Sequence, residues 1–266
     1  MRPLKSIMAM ALSLSVCLPS ASPAQVPATT TPDEFLSLLK ALKSALYPPK
    51  FVVVQGTPTA TTAPSGVGFV SASGTTKREG RHGFDGSLAF GAGFGDPVMG
   101  IGGQFAVNIT SVSPFHFGHS GNVSLKFSRT LPTSFGNTSL GITFDNLVPW
   151  GDSHRNKLKT SVALTMVKQF DPSGLGDYIP VIFNFGASSY SQYHHGVTPF
   201  VSMGIGLSQN LSISASYNGD YTSFGVSAQI PALKNVSFSA GILDAFNDRH
   251  QERITLSVSY NVKNLF

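Results

Sequence analysis

Residues 84–94 read FDGSLAFGAGF, and this stretch decides the fold because the character of its residues alternates with a period of two. One set of positions is mainly oily and comprises Phe84, Gly86, Leu88, Phe90, Ala92 and Phe94. The positions between them are small or polar and comprise Asp85, Ser87, Ala89, Gly91 and Gly93. A period of two is typical of a β-strand whose two faces meet different surroundings.

The same alternation recurs from residue 65 to the end of the chain, and it predicts about twelve antiparallel strands of membrane-spanning length. The expected strands cover approximately 65–74, 84–94, 98–109, 121–130, 138–147, 158–169, 180–188, 197–208, 210–218, 221–230, 235–244 and 253–265. Short and long connections largely alternate between them, as periplasmic turns and extracellular loops do in bacterial barrels. We therefore expect His194, His195 and the basic segment 77–81 to face outside the cell.

The polar face of these strands carries mostly Ser, Gly, Thr and Asn, whereas the solvent face of a soluble sandwich usually carries Lys, Glu and Arg. Small polar residues suit the inside of a barrel, and an oily outside suits lipid. Only 12% of the chain is charged, about half the share of an ordinary soluble domain. The predicted fold class is all-β, a transmembrane antiparallel up-and-down β-barrel of about twelve strands.

The formal net charge is +5, and Arg2 and Lys5 of the leading segment contribute to it. This mild balance does not favour nucleic acid as a partner. Residues 1–24 combine that basic start with a short apolar stretch and a small-residue exit, which predicts a secretory signal peptide cleaved after Ala24. The only cysteine, Cys17, follows Val16, which is too large for a lipoprotein box, so lipidation is the weaker alternative.

Residues 25–64 are rich in Pro and Thr and form a separate N-terminal segment. Thr31 can cap a helix, and the spacing of the apolar residues after it predicts a short amphipathic helix over 32–46, which Pro48 and Pro49 end. Three roles stay open for the segment: a plug inside the barrel, an element lying at the periplasmic face of the membrane, or a loose tether. Residues 65–266 are expected to form the barrel itself.

The last strand alternates Ile254, Leu256, Val258, Tyr260, Val262, Asn264 and Phe266 with Thr255, Ser257, Ser259, Asn261 and Lys263. An alternating strand that ends in phenylalanine resembles the assembly signal of bacterial outer-membrane β-barrel proteins, carried here by Tyr260, Val262 and Phe266. The resemblance implies an outer-membrane location, lipid as the surrounding partner, and recognition of this strand by the barrel-assembly machinery through strand addition.

A second resemblance is to small uncharacterised barrels of cyanobacteria and other Gram-negative bacteria. It rests on three short motifs at 93–97, 118–121 and 150–153. It implies no function and no site residues.

The predicted function is a narrow passive diffusion channel for small hydrophilic solutes, with no cofactor. Twelve strands lie between the packed small barrels and the open porins, so a narrow lumen is expected. The expected pore-lining residues are Asp85, Gln104, Asn108, Lys126, Asp145, Lys159, Asn184 and Lys263. Lys126 and Gln104 fall mid-strand, where such a pore is narrowest. The alternatives are a structural or adhesive surface barrel and, with less support, an outer-membrane hydrolase.

The sequence offers little evidence for an enzymatic function, and we expect no catalytic residues. Outer-membrane hydrolases of the phospholipase A and lipid A deacylase families place a histidine and a serine two residues apart, a spacing that none of the seven histidines shows. Asp244, Asp248 and His250 could serve a protease at the loop rim, but charged loops are usually only solvated surface. His194 and His195 alone supply too few ligands for a metal site.

Overall fold

The computed structural model contains twelve antiparallel strands that close into one barrel. It describes residues 33, 36–37, 49–78, 81–112, 117–134, 136–172, 177–233, 235–250 and 252–265, without the side chains at 77–78 and 81–84. The strands are β1 Gly68–Arg78, β2 Arg81–Gly95, β3 Gly102–Ile109, β4 Gly121–Leu131, β5 Asn137–Asp145, β6 Lys159–Phe170, β7 Ile179–Tyr190, β8 His195–Gly206, β9 Leu211–Tyr217, β10 Thr222–Gln229, β11 Val236–Leu243 and β12 Arg253–Val262. The predicted all-β class and strand number are confirmed.

Each strand pairs with its neighbours in the chain, and β1 pairs with β12 to close the ring. The closing register runs antiparallel from Gly68 opposite Val262 to Thr75 opposite Thr255. Closure leaves no unpaired sheet edge, which a barrel needs because lipid cannot satisfy free backbone groups. We call the end at which β1 begins and β12 ends the terminal rim, and the opposite end the loop rim.

The burial pattern of the barrel is the inverse of that of a soluble protein. Most of its buried residues are polar, with serines such as Ser202, Ser212 and Ser227 at 3%, 0% and 2% exposure. Large apolar side chains stand outside, among them Val70, Phe90, Phe105, Leu140, Val162, Phe185, Val201, Ile213, Val226, Ile242, Leu256 and Val258. An apolar belt around a polar interior is the surface that a hydrocarbon layer stabilises.

The N-terminal part of the chain forms a separate unit, Met1–Ala45. Of the helix predicted over 32–46, the structure describes only Asp33, Leu36 and Ser37, which are helical and exposed. The predicted signal peptide 1–24 lies outside the described residues. In the described part of the chain, no helix is both long enough and apolar enough to cross a membrane.

Candidate functional site in the barrel lumen

Residues 51–65, which we call the lumen segment, run through the interior of the barrel. The segment enters at the terminal rim, where the Phe51 backbone N donates to the Ser208 carbonyl at 3.0 Å. It reaches the β8 wall where the Thr57 and Ser202 hydroxyls lie 2.6 Å apart. It then crosses to the opposite side and returns to the terminal rim, where Ser65 bridges to Gly93 of β2. The segment therefore contacts both sides of the lumen.

Asn184 on β7 is the most fully bonded contact of the lumen segment. It is completely buried, and its Oδ1 accepts from the Thr165 hydroxyl at 2.8 Å. Its Nδ2 donates to the Thr57 hydroxyl at 3.0 Å and to the Pro58 carbonyl at 2.9 Å, and it also lies 3.2 Å from the Ser202 hydroxyl. Asn184 thus satisfies polar groups of the segment that the barrel interior would otherwise leave unpaired.

Glycines in the wall allow the backbone of the lumen segment to approach closely. A Cβ atom at Gly93 would lie 2.1 Å from the Ala63 carbonyl oxygen, and one at Gly204 would lie 2.6 Å from the Val53 carbonyl oxygen. A Cβ at Gly141 would lie 2.7 Å from the Ala60 Cα. Glycine within a strand commonly marks a close approach of another backbone, and these positions show that use.

On β3 and β4, two of the expected pore-lining residues hold the returning half of the segment. The Gln104 Oε1 accepts from the Ala63 backbone N at 2.9 Å. The Lys126 Nζ donates to the Thr61 carbonyl at 3.4 Å. Gln104 and Lys126 are directly opposite each other in the β3–β4 register. Both side chains therefore face the lumen segment rather than an open path.

The other expected pore-lining residues are spread over the inner wall. Asp145 and Lys159 are opposite each other where β5 and β6 meet the loop rim. The Asn108 Nδ2 donates to Asn122 Oδ1 at 2.9 Å, so this amide binds within the wall. Asp85 is exposed near the loop rim, and Lys263 lines a cavity at the terminal rim.

Two cavities flank the lumen segment along the barrel axis. The one toward the loop rim has a volume of about 320 Å³ and is bordered by Gln55 and Gly56 of the segment. The one at the terminal rim has a volume of about 550 Å³ and is bordered by Ala63 and Pro64. The segment thus lies between two cavities of the barrel interior.

A polar cluster fastens three connections at the loop rim. Asp220, in the β9–β10 connection, accepts from the Ser191 hydroxyl at 2.6 Å, the Gln192 backbone N at 3.0 Å and His194 Nδ1 at 2.8 Å. Arg249, in the β11–β12 connection, donates from Nη2 to His194 Nε2 at 3.2 Å. Because Arg249 can only donate, Nε2 must accept and the proton of the neutral ring lies on Nδ1.

The carboxyl group of Asp220 has a lowered pKa. Burial alone would raise this pKa, but hydrogen bonds from Ser191, His194 and the backbone of Gln192 outweigh it. The cluster does not present a nucleophile to a base, because the Ser191 hydroxyl donates to the carboxylate and His194 Nε2 is occupied by Arg249. The cluster instead joins three loops through hydrogen bonds.

The remaining candidates of the sequence analysis lie apart from one another. Asp244 is fully buried, and its Oδ2 accepts from the backbone N of Arg249 at 3.1 Å, while Asp248 and His250 are exposed in the same connection. Within the described ranges no group of three or more His, Cys, Asp or Glu residues is placed to hold a metal ion.

Of the expected assembly signal, Tyr260 is 46% exposed on the outer face and Val262 is half-buried, and Phe266 lies outside the described residues.

Sequence reasoning left the role of the N-terminal segment 25–64 open among three alternatives, and it did not single out residues 51–64. These residues lack the period-two alternation of the wall, and 57–64 has the composition of a linker. The available signal was the number of glycines on inner positions of β2, β5 and β8, which leave room for another backbone. That signal could not identify the segment that fills the room.

The closed ring of twelve strands, the apolar exterior and the polar interior together define the fold as a transmembrane β-barrel. Among solved structures, the chain is similar to the Acinetobacter baumannii outer membrane protein Omp33, with 12% identity, a TM-score of 0.45, and coverage of 73% of this chain and 97% of that one. It is also similar to the COG4313 outer membrane channel from Pseudomonas putida F1, with 10% identity, a TM-score of 0.47, and coverage of 78% and 100%. No protein-family model and no curated protein matches the chain.

Proposed function

We propose that this protein is a narrow outer-membrane channel for small hydrophilic solutes and that the lumen segment holds it closed. The observation that carries the proposal is the segment itself, which lies between the two cavities of the lumen. A purely structural barrel of this size would be expected to fill its interior with wall side chains. Here the wall side chains are mostly small, and part of the filling comes from a separate stretch of backbone.

The contacts that hold the segment suit a closure that can open. Those described on the wall are chiefly neutral hydrogen bonds from Ser, Thr, Asn and Gln side chains, with Lys126 as the charged donor. Each neutral hydrogen bond contributes only about 1 kcal/mol net. At the terminal rim, Lys50 forms an ion pair with Asp177 at 2.9 Å next to the entry of the segment.

The inner charges would set ionic preference once the segment leaves. Lys126 lies mid-strand, with Asp145 and Lys159 nearer the loop rim and Lys263 at the terminal rim. A single charge in a narrow polar path biases which ions pass. This function requires a location in the outer membrane. The signal peptide 1–24 would direct export, and the barrel-assembly machinery would recognise the terminal strand.

A reversible disulfide lock tests the proposal in the full mature chain. The hydroxyls of Thr62 on the segment and Ser128 on β4 lie 2.8 Å apart, so Thr62→Cys with Ser128→Cys should form a disulfide between segment and wall. The only native cysteine, Cys17, lies in the predicted signal peptide. In planar bilayers we expect the oxidised protein to show no conductance and the reduced protein to show channel openings. The same barrel without residues 25–64 should conduct continuously.

A wall disulfide provides the matched control. The hydroxyls of Ser161 and Ser188, on adjacent strands, also lie 2.8 Å apart, so Ser161→Cys with Ser188→Cys adds a crosslink that leaves the segment free. This control should open in both redox states. Heat-modifiable migration would show whether the reduced Thr62→Cys, Ser128→Cys protein and the shortened barrel are folded. If both are folded and neither conducts, the channel is excluded and a structural or adhesive barrel is favoured.

A further inference from the structure

The cavity on the loop-rim side of the lumen segment has an uncharged lining. Besides Gln55 and Gly56 of the segment, its polar lining residues are Ser73, Ser214, Ser216, Ser223, Thr255 and Ser257. Six of these residues carry hydroxyl groups and one carries an amide. Its volume of about 320 Å³ exceeds the roughly 10–15 Å³ that one water molecule needs, so a small solute fits.

Three largely buried serines in this lining have hydroxyls that do not bond to protein. Ser214, Ser216 and Ser223 are 8%, 6% and 6% exposed, and among the described residues none of their hydroxyls has a hydrogen-bond partner. Other serine hydroxyls of the inner wall bond to each other, as do Ser161 with Ser188 and Ser227 with Ser239, although the buried Ser212 hydroxyl also has no partner among the described residues. These three hydroxyls border one cavity, so a polar solute or water in the cavity can bond to them.

Gln55 forms part of the cavity boundary and is held in one orientation. Its Nε2 donates to the Ser227 hydroxyl at 2.8 Å and to the Val226 carbonyl at 3.1 Å. Its side chain lies against Gly225 and Gly241, where any Cβ atom would crowd it. Because the amide nitrogen is engaged with the wall, the Oε1 remains to accept a hydrogen bond at the cavity.

Gly56 keeps the neighbouring hydroxyl accessible. It adopts a φ of +82°, a conformation that L side chains rarely adopt, and a Cβ atom there would lie 2.5 Å from Ser216 Oγ. Glycine at this position therefore allows the turn of the segment and leaves the Ser216 hydroxyl uncovered.

We propose that this cavity binds a small, neutral, polyhydroxylated solute, with the chemistry of a sugar or polyol. Such a solute offers both donors and acceptors to the serine hydroxyls and the Gln55 Oε1. A charged solute would lose hydration in a lining without charged side chains and gain no counter-charge. The binding site stands without transport, but its reading as the substrate site of the channel rests on the proposed function.

Calorimetric titration of the intact protein in detergent micelles tests the site directly. The probes are D-glucose and glycerol as neutral solutes, and D-gluconate and D-glucosamine as charged counterparts of glucose. We expect glucose to bind at least about ten-fold more tightly than either charged form, because burial of an unpaired charge is costly. Ser216→Val and Ser223→Val should each weaken glucose binding by about five-fold, the equivalent of one neutral hydrogen bond.

Ser259→Val is the matched control, since Ser259 lies on the inner face of β12 outside the cavity lining and its replacement should leave glucose binding unchanged. No heat with glucose, equal binding of gluconate, or equal losses in Ser259→Val and Ser216→Val would overturn the site. Conductance distinguishes the two proposals. If the protein binds glucose but never conducts, the binding site is supported and the channel is contradicted. If it conducts without binding glucose, the channel is supported and the binding site is contradicted.

Discussion

Asn184 is the residue through which the wall holds the lumen segment most firmly. Its amide bonds to Thr57 and Pro58 of the segment and to Thr165 of the wall, and the side chain is completely buried. The Thr165 hydroxyl in turn accepts from the Ala60 backbone N at 2.8 Å. One side chain therefore organises several bonds to the segment.

Replacement of Asn184 should loosen the lumen segment while the ring of twelve strands stays intact. Asn184→Ala removes at least two bonds to the segment and should destabilise its docking by about 2 kcal/mol, since each net hydrogen bond contributes about 1 kcal/mol. Hydrogen exchange at the Ala60 and Ala63 amides should accelerate accordingly. Asn108→Ala is the control, because Asn108 bonds to Asn122 and Ser124 of the wall. Equal exchange in both variants would contradict this role for Asn184.

The stability of the connections at the loop rim depends on pH. Asp220 has a pKa below its ordinary value of 3.8, so its carboxylate stabilises the folded loops at any pH above that value. The contribution is lost as pH falls through the folded pKa. The buried position of Asp220, with its side chain 2% exposed, limits screening by solvent.

Asp220→Asn should loosen these loops at neutral pH. An amide cannot accept on both of its polar atoms, so the bonds from Gln192 and from Ser191 and His194 cannot all persist. We expect protection of the Gln192 amide against hydrogen exchange to fall roughly five-fold at pH 7, for one lost bond. Wild-type protection should show the same loss only below about pH 4. Asp152→Asn, at an exposed carboxylate, should change neither value.

At the scale of the whole molecule, the pairing of β1 with β12 makes the barrel. Eight residue pairs join these strands, so the end of the chain is needed to complete the ring. Closure joins residues about two hundred positions apart, and such long-range pairing has a large entropic cost before contacts repay it. A cellular assembly factor that recognises β12 would lower that barrier.

Removal of Phe266 should therefore affect assembly more than the finished fold. Expressed in a Gram-negative host, the shortened chain should accumulate in the periplasm and be digested by protease there. The full chain should reach the outer-membrane fraction as a heat-modifiable barrel. Deletion of Pro49 alone, at the start of the described N-terminal stretch, serves as a one-residue control and should assemble normally. An outer-membrane barrel of unchanged yield without Phe266 would refute the assembly signal.

The wall of the barrel could be predicted from the amino-acid pattern alone. Alternation with a period of two is a local property, because successive side chains of a strand point to opposite faces. The positions facing lipid, such as Phe90 and Leu256, and those facing the lumen, such as Ser87 and Ser257, could thus be assigned without any tertiary information. Closure and strand number followed from the repetition of that pattern along the chain.

The identity of the segment that fills the lumen became apparent only in the folded protein. The contacts of Asn184 with Thr57 and of Gln104 with Ala63 join a stretch that has no repeating pattern to strands far along the chain. The same holds for the free hydroxyls of Ser216 and Ser223, which become notable only when strands and segment enclose one cavity. A serine that bonds to another serine and a serine that faces a cavity are identical in the sequence, since the difference lies in which groups the closed barrel brings within hydrogen-bond distance.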